Sequence, residues 1–149
     1  MSTPAFCAFV SYETVGGLAY ARLLKSTLKG VGLGAWVWHD DRTIGQHRDE
    51  EIANRIYELR HFVYICTDNS HESNGQTEER NLAREFTKDI VVVAFDGALV
   101  SPVLATRNRF NTTPGEFQGT CENVAKEIGR REQAFVGASK VEKDGQNLE

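Results

Sequence analysis

ICTDNSHESNGQTEERNLAREF, the segment from Ile65 to Phe86, decides the fold that the sequence predicts. It begins inside an apolar run, His61–Cys66, which stops abruptly at a polar turn. A second polar turn, Ser73–Gly75, comes before apolar residues spaced for one face of a helix, of which Leu82 is the first. The segment therefore predicts a buried strand, a loop and an amphipathic helix in succession.

The predicted helix carries two adjacent carboxylates, Glu78 and Glu79, in its first turn. Glu79 precedes Ala83 by four residues and Phe86 by seven, so it lies on their inward face, one turn nearer the end of the strand. A carboxylate that faces inward at the rim of a sheet is unusual for a helix that is merely solvated. A carboxylate that only favours the helix dipole is the plainer interpretation of the same residue.

Strand and helix patterns alternate on both sides of this segment. The alternation predicts a parallel sheet with right-handed crossovers and helices on both faces, a three-layer α/β fold of the flavodoxin-like kind with five strands. The predicted strands are Ala5–Val10, Ala35–Trp38, His61–Cys66 and Ile90–Phe95, and the predicted helices are Leu18–Lys29, Arg48–Arg60 and the helix after Gly75.

The pattern weakens after Gly97. Residues 98–116 contain two prolines and no clear period, so the sequence leaves room there for a short helix and an edge strand without assigning either. Thr120 has the character of an N-cap for a last helix that ends near Ala134. The sequence thus predicts one folded domain over 1–136 and a polar, frayed tail over 137–149.

Length and composition indicate a single soluble domain. The chain has 149 residues, of which 40% are hydrophobic and 26% charged, as in typical globular proteins. The formal net charge of −4 disfavours nucleic acid as a partner, because nucleic-acid binders usually present a basic face. We expect a cytoplasmic protein with no membrane partner, because no apolar run approaches a membrane span and the N-terminus lacks a signal-peptide pattern. The three cysteines predict buried, reduced thiols.

Every predicted strand ends in polar residues, and in a parallel sheet these ends meet at one edge, where ligands bind. Strand ends are polar in most proteins, so this pattern alone is weak, and the inward phase of Glu79 strengthens it. The residues concerned are Ser11, Tyr12 and Glu13 after the first strand, His39, Asp40 and Asp41 after the second, Thr67–Ser70 after the third and Asp96 after the fourth.

A single carboxylate over such a cleft suits cleavage of the N-glycosidic bond of NAD+. Nicotinamide leaves as a neutral base, so no general acid is required, and the carboxylate stabilises the positive charge that develops on the ribose. By residue type alone this chemistry is one option among many. It needs NAD+ as substrate and no other cofactor, and the four histidines have no spacing typical of a metal site.

Three segments resemble the sequence boxes of the Toll/interleukin-1 receptor (TIR) domain. FVSY, ending at Tyr12, resembles the first box, and WVWHDDRTIG, ending at Gly45, resembles the strand that runs into an acidic turn and a glycine-containing loop. The third box is a serine followed six residues later by a glutamate and four residues after that by a small residue, which Ser73, Glu79 and Ala83 match. The resemblance spans about Ala5 to Gly97.

The chain departs from the family at two positions. A tryptophan commonly found two residues after the serine is replaced by Gly75, and a proline commonly found before the loop glycine is replaced by Ile44. The first departure concerns the shape of the ribose pocket, and the second concerns the loop that family members use in TIR–TIR contacts.

The resemblance implies a role for each residue that matches the boxes. Glu79 is expected to be the catalytic carboxylate, with Glu78 as the rival assignment if the alignment slips by one residue. The other expected site residues are Ser11 and Tyr12 on the nicotinamide side of the cleft, Asp40, Asp41 and Arg42 at its mouth beside a neighbouring subunit, and Ser70 and Ser73, which cap the helix or touch the ribose.

The resemblance implies an NAD+ glycohydrolase or ADP-ribosyl cyclase. The chain is similar to small stand-alone bacterial TIR proteins such as those of Thoeris antiphage systems, in which a separate effector protein reads a nucleotide made by the TIR protein. That comparison implies self-association through TIR–TIR contacts and a role in antiviral defence, and we expect no sensor or effector domain in a chain of this size.

Three alternatives remain open on the sequence alone. A non-enzymatic TIR adaptor would act only through TIR–TIR assembly and would not need Glu79. A nucleoside deoxyribosyltransferase also uses a glutamate at a glycosidic bond, but the TIR boxes argue against it. A phosphorelay receiver domain would use Asp68, but the chain lacks the acidic pair and the lysine that such a domain requires.

Overall fold

Five parallel strands form one sheet in the order β2-β1-β3-β4-β5. The computed structural model describes residues 5–68, 70, 73–104 and 108–147, with the backbone alone at 103 and 136–147. The elements are β1 Phe6–Ser11, α1 Thr14–Gly30, β2 Gly34–Trp36, α2 Trp38–Asp41, α3 Arg48–Glu58, β3 His61–Cys66, α4 Asn74–Glu85, β4 Asp89–Phe95, β5 Asn108–Thr112 and α5 Phe117–Asn147. The predicted α/β class with a five-stranded parallel sheet is confirmed.

The sheet is covered on both faces, which is why its central strands are continuously apolar. All six residues of β3 are buried, as are the last six of β4. Helices α1 and α5 pack on one face around Val63 and Val91, and helices α3 and α4 pack on the other around Phe62 and Val92. Alternate residues of each strand therefore enter different cores.

This alternation decides which way the end of β1 faces. Val10 packs in the core beneath α1 and α5, whereas Phe9 packs in the core beneath α3 and α4, where its ring stacks on those of Trp36 and Phe62. Ser11 follows Phe9 by two residues and consequently lies on the same side as α4. The strand thus delivers a buried hydroxyl to the face that carries the Ile65–Phe86 segment.

The structure corrects the predicted start of α1, which is Thr14 rather than Leu18. The carboxylate of Glu13 accepts the backbone N–H groups of Val15 and Gly16 and caps the helix. A glycine inside the helix fits the close packing there, because a Cβ at Gly17 would lie 3.1 Å from the Cβ of Tyr12.

The second strand is also shorter than predicted, because it ends at Trp36 and Trp38 begins α2. The carboxylate of Asp41 accepts the backbone N–H of Val37 at 2.8 Å, which closes a helical turn where the sequence predicts a further strand residue. Trp36 is fully buried and Trp38 is partly exposed.

The region after Gly97, for which the sequence leaves room for a short helix and an edge strand without assigning either, contains a 3₁₀ turn at Pro102–Leu104 and the edge strand β5. The predicted N-cap at Thr120 is wrong, because α5 begins at Phe117 and the Thr120 hydroxyl bonds back to the Glu116 carbonyl at 3.2 Å. The predicted end near Ala134 is also too early.

Helical backbone continues to Asn147, over most of the segment 137–149. Its fraying in solution stays a prediction. Among the described residues, none of the helices combines the length and the apolarity needed to cross a bilayer. The three cysteines are free thiols, with Cys66 and Cys121 buried and Cys7 half-buried.

Two isoleucines give a matched test of this core. Ile128 is fully buried on α5 and Ile44 is 96% exposed in the loop before α3. We expect Ile128→Ala to lower the free energy of unfolding by about 2–5 kcal/mol, because it leaves a cavity in the core, and Ile44→Ala to change it by less than about 0.5 kcal/mol. Urea denaturation followed by circular dichroism measures both values, and equal effects would contradict the assigned packing.

Candidate functional site

The site lies where β1 and β3 end side by side and their connections leave on opposite faces of the sheet. From β1 the chain turns into α1 on one face, and from β3 it turns into α4 on the other. Such a switch point opens a crevice at the carboxyl ends of the strands. Ser11 ends β1 at this crevice, and its hydroxyl donates a hydrogen bond to Oε1 of Glu79 on α4 at 2.7 Å. Glu79 therefore points inward from α4 towards the sheet, as its spacing in the sequence predicts.

Two serines build the turn that aims α4 at this crevice. Ser73 is the N-cap of α4, and its hydroxyl accepts the backbone N–H of Gln76 at 3.2 Å. The Ser70 hydroxyl is buried, accepts the Thr67 N–H at 2.9 Å and donates to the Ile65 carbonyl at 3.2 Å. In this structure, both predicted site serines serve the backbone that positions the glutamate.

Glu79 sits in an environment that opposes its charge. Burial raises the pKa of its carboxyl group from 4.5 to about 7, although the Ser11 hydroxyl and the positive charge of Arg48 act in the opposite direction and the neighbouring Glu78 adds to the rise. The side chain is only partly buried, so it stays accessible. Near neutral pH both its protonated and its ionised forms are populated.

A small cavity beside Glu79 is lined on its other side by Tyr12, Trp38 and His39. The Tyr12 hydroxyl is hydrogen-bonded to Nδ1 of His39 and also accepts the His39 backbone N–H at 3.2 Å. The guanidinium of Arg48 lies over the ring of Trp38 at 5.5 Å from its centroid, and that of Arg42 lies at 5.8 Å. These residues place aromatic and cationic groups beside the carboxylate.

The space around Glu79 is small. A cavity of about 90 Å³ lies between α3 and α4, and one of about 20 Å³ lies towards Tyr12 and Trp38; both are lined by Glu79 and Arg48. Sites that hold drug-sized ligands measure about 300–1,000 Å³. A dinucleotide would therefore need the cleft to open, or to be extended by another chain.

The acidic turn that the sequence predicts at the mouth of the cleft is paired with α1 in this structure. Asp40 bonds Arg22 at 2.8 Å, and Asp41 bonds Lys25 at 2.7 Å. The hydrogen bond from Arg22 lowers the pKa of Asp40. Arg42 is exposed. The expected contact of Asp40, Asp41 and Arg42 with a substrate stays a prediction.

Sequence reasoning missed three residues around the glutamate: Gln76, Trp38 and Arg48. Gln76 precedes Glu79 by three residues, which places it on the inward face of α4, and this spacing was available as a signal. Arg48 and Trp38 come from elements distant in sequence, and nothing in their local pattern links them to Glu79.

Larger cavities lie elsewhere. One of about 350 Å³ lies at the amino ends of β1, β2 and β3, away from the switch point, and includes Glu132, whose carboxylate contacts His61 and Arg60 at 2.6 Å. A second of about 590 Å³ lies between α1 and α5, and a third of about 280 Å³ lies at the α1 side of the switch point and includes Asp68 and Asp96. Both aspartates are exposed.

We assign the site to the smaller space because Glu79 is the only one among these carboxylates that is held by a buried hydroxyl group. Within the described ranges, no three His, Cys, Asp or Glu side chains are grouped to bind a metal ion.

The sequence matches the profile of the TIR domain family over residues 8–124. Among curated protein sequences, none is significantly similar to this chain.

Solved structures share the fold at low sequence identity. The TIR domain of the Toll-related receptor TRR-2 from Hydra magnipapillata is 14% identical with a TM-score of 0.63, and the match covers 87% of this chain and 95% of that one. A TIR-STING receptor from C. gigas is 14% identical with a TM-score of 0.68, over 84% of this chain and 40% of that longer one. The CMP N-glycosidase BcmB of Clostridium botulinum is 12% identical with a TM-score of 0.57, over 78% and 95%.

The raised pKa of Glu79 predicts a pH-dependent stability. Between about pH 4.5 and 7 the folded state keeps a proton that the unfolded state has released, so the free energy of unfolding falls as pH rises through this interval. Glu79→Gln removes the titration. We expect this variant to match the wild type near pH 4.5 and to exceed it by about 3 kcal/mol at pH 8.

Denaturant titrations at the two pH values measure this gap. Glu78→Gln, at an exposed neighbour on the same helix, is the matched control and should leave the pH dependence of the wild type nearly unchanged. A difference in the free energy of unfolding between Glu79→Gln and the wild type that does not change with pH would contradict the burial assigned to the Glu79 carboxyl group.

Proposed function

The chain belongs to the TIR domain family, and we propose that it is an enzyme which cleaves the nicotinamide–ribose bond of NAD+, with Glu79 as the catalytic carboxylate. The single observation that carries the proposal is the hydrogen bond from the buried Ser11 hydroxyl to Glu79 at the switch point of the sheet. A carboxylate fixed in this way is preorganised for charge that develops in front of it.

In the proposed reaction the bond between the ribose C1′ and the pyridinium nitrogen breaks, and its electron pair leaves with nicotinamide as a neutral base. Positive charge develops on the ribose, and ionised Glu79 stabilises it. Addition of water at C1′, with loss of one proton to solvent or to Glu79, gives ADP-ribose. Addition of an adenine nitrogen of the same molecule, with loss of one proton from the adenine amino group, gives a cyclic product.

Burial and charge of the site support this chemistry. A carboxylate that is partly desolvated interacts more strongly with a developing cation than one in water. Arg48 and the Ser11 hydroxyl counter the effect of burial on the pKa, so that a substantial fraction of Glu79 is ionised at neutral pH. Tyr12 and Trp38 offer rings on the nicotinamide side of the carboxylate.

The cleft of a single chain is too small for the substrate, and we propose that self-association completes it. Ile44 stands at the tip of the loop between α2 and α3 and is 96% exposed, next to Gly45 with a φ of +92°. Glu51 is buried on α3 and anchors this loop by accepting the Thr43 N–H at 2.8 Å. An anchored loop with an exposed apolar tip is suited to contact a second copy of the chain.

The proposed product is an ADP-ribose-derived signal for a separate effector protein in cytoplasmic antiviral defence, as the Thoeris-type resemblance implies. The similarity in fold to a CMP N-glycosidase supports the reaction class, because that protein also cleaves an N-glycosidic bond of a nucleotide. At 12% identity this similarity concerns the fold, and the substrate is proposed from the site.

A non-enzymatic adaptor is the second candidate function. The exposed Ile44 and the small volume beside Glu79 favour it, because both fit a surface used for assembly. It requires no reaction at Glu79.

We predict that Glu79→Gln abolishes nicotinamide release from NAD+, with a loss of at least about 10³-fold, because the charge that stabilises the ribose cation is removed. The measurement is a mass-resolved time course at high protein concentration. The mass of the co-product distinguishes hydrolysis from cyclisation. Glu78→Gln tests the rival assignment and should retain activity.

Equal loss in both variants, or loss only in Glu78→Gln, would contradict the assignment to Glu79. No turnover by the wild type, even with concentrated protein, would favour the adaptor.

We also predict that specific activity rises with protein concentration and that Ile44→Asp weakens this rise at least tenfold, because a charge replaces the apolar contact of the loop. Analytical ultracentrifugation on the same samples relates activity to assembly. Val31→Asp, at another exposed apolar residue directly after the end of α1, is the matched control (61% exposed). Activity independent of concentration would contradict completion of the cleft by a second chain.

A further inference from the structure

Gln76 is a buried amide that joins α4 to two strands. Its side chain is 1% exposed. Its Nε2 group donates to the carbonyl of Ile65 at 2.8 Å and to the carbonyl of Ser11 at 3.3 Å. One side chain thus contacts the end of β1 and the end of β3 from the first turn of α4.

These two carbonyls lie where the sheet can no longer supply partners to both strands. The β1–β3 ladder ends at the pair of Ser11 and Tyr64, after which β1 leads to α1 on one face and β3 leads to α4 on the other. Buried backbone carbonyls require donors. The Gln76 amide donates to both carbonyls across the point at which the strands separate, and it shares the Ile65 carbonyl with the Ser70 hydroxyl.

The same residue fixes the helix that carries the glutamate. The backbone N–H of Gln76 donates to the capping hydroxyl of Ser73 at 3.2 Å, so both its main chain and its side chain are held. Glu79 follows by three residues, about one helical turn, on the same side of α4. The position of Gln76 therefore sets how far α4 advances over the sheet and how it is rotated about its axis.

The contacts form a closed circuit. Ser11 gives its carbonyl to Gln76 and its hydroxyl to Glu79, while both partners lie on the same helix. Two hydrogen bonds therefore join α4 to Ser11, one at Gln76 in its first turn and one at Glu79 in its second. Displacement of α4 would break both bonds together, so the circuit fixes the distance between the hydroxyl and the carboxylate.

Both contacts of Gln76 with the strand ends come from its Nε2 group, since its other polar atom, Oε1, accepts no hydrogen bond from the described residues. The amide nitrogen alone therefore ties α4 to the two strand ends.

We propose that Gln76 is a positioning residue that holds Glu79 against Ser11 at the switch point. The inference deepens the proposed function and rests on it for its kinetic consequence. Gln76 does not touch the reacting atoms in this arrangement. It acts through the register of α4, and loss of its amide would leave the carboxylate present but misplaced.

The test compares Gln76→Met, which keeps length and loses both donors, with Thr120→Val. Thr120 makes a buried hydrogen bond of 2.9 Å to Thr112 on the far side of the sheet and serves as the control for a lost buried polar contact. We expect kcat for nicotinamide release to fall about 10²-fold in Gln76→Met, with KM within about threefold, since a misplacement near 1 Å has this effect. Thr120→Val should stay within about twofold of the wild-type kcat. Equal kcat in the two variants would overturn the proposal.

A second readout needs no enzymatic activity. The stability gap between Glu79→Gln and its parent, measured between pH 5 and pH 8, reports whether Glu79 occupies its buried position. We expect this gap to be at least halved in the Gln76→Met background and preserved in the Thr120→Val background. The other titratable or hydrogen-bonding groups that face Glu79 are unchanged by these substitutions, so their effects cancel from the comparison. They are Ser11 at the end of β1, Tyr12 beyond it, His39 on α2, Arg48 and Asp49 on α3, Tyr64 on β3 and Glu78 on α4.

The two readouts separate the two proposals. A wild type with the pH-dependent gap but without nicotinamide release would overturn the proposed reaction and leave the positioning role in place. A gap that survives Gln76→Met at full size would overturn the positioning role, whatever the activity.

Discussion

The hydrogen bond from Ser11 to Glu79 depends on a constraint of the whole sheet. It forms only if β1 ends on the face that α4 covers and if α4 lies close enough to the ends of β1 and β3. The first condition follows from strand alternation, which sends Val10 to one core and Ser11 to the other side. The second follows from the crossover of β3 to the α4 face and from the amide of Gln76, which links both strand ends. A small change in either would separate the hydroxyl from the carboxylate.

The glutamate is placed where opposing effects nearly balance. Burial alone would favour the neutral acid, whereas the Ser11 hydroxyl and the charge of Arg48 favour the anion, and the outcome is a pKa of about 7. A more exposed carboxylate would be ionised at neutral pH but screened by water. Burial of Glu79 therefore lowers the stability of the fold at high pH. The same burial leaves a carboxylate that interacts strongly with nearby positive charge and is still partly ionised at neutral pH.

The cavities around this carboxylate are small in one chain, and the neighbouring loop carries an exposed apolar side chain. Glu51 uses a buried carboxylate to hold the loop backbone at Thr43, which leaves Ile44 projecting into solvent. The paired Asp40 and Asp41 on the other side of the turn fasten it to α1. A loop anchored at both sides can present an apolar tip without being part of the core, and this arrangement suits an interface better than a solvated turn.

The sequence by itself determined the parallel sheet, three of its strands nearly to the residue and the inward phase of Glu79, because these depend on local periodicity and on strand burial. The sequence placed the start of α1 too late, because Gly16 and Gly17 resemble a helix break, whereas Gly17 lies inside the helix in close contact with Tyr12. It placed Trp38 in the second strand, whereas the strand ends earlier because the Asp41 carboxylate accepts the backbone N–H of Val37. Only the tertiary structure decided that Ser11 would meet Glu79, that Arg48 and Trp38 would join them and that Asp40 and Asp41 would turn to α1. Periodicity specifies which side of an element faces inward, whereas contacts between residues as far apart as Ser11 and Glu79 depend on how the elements are packed together.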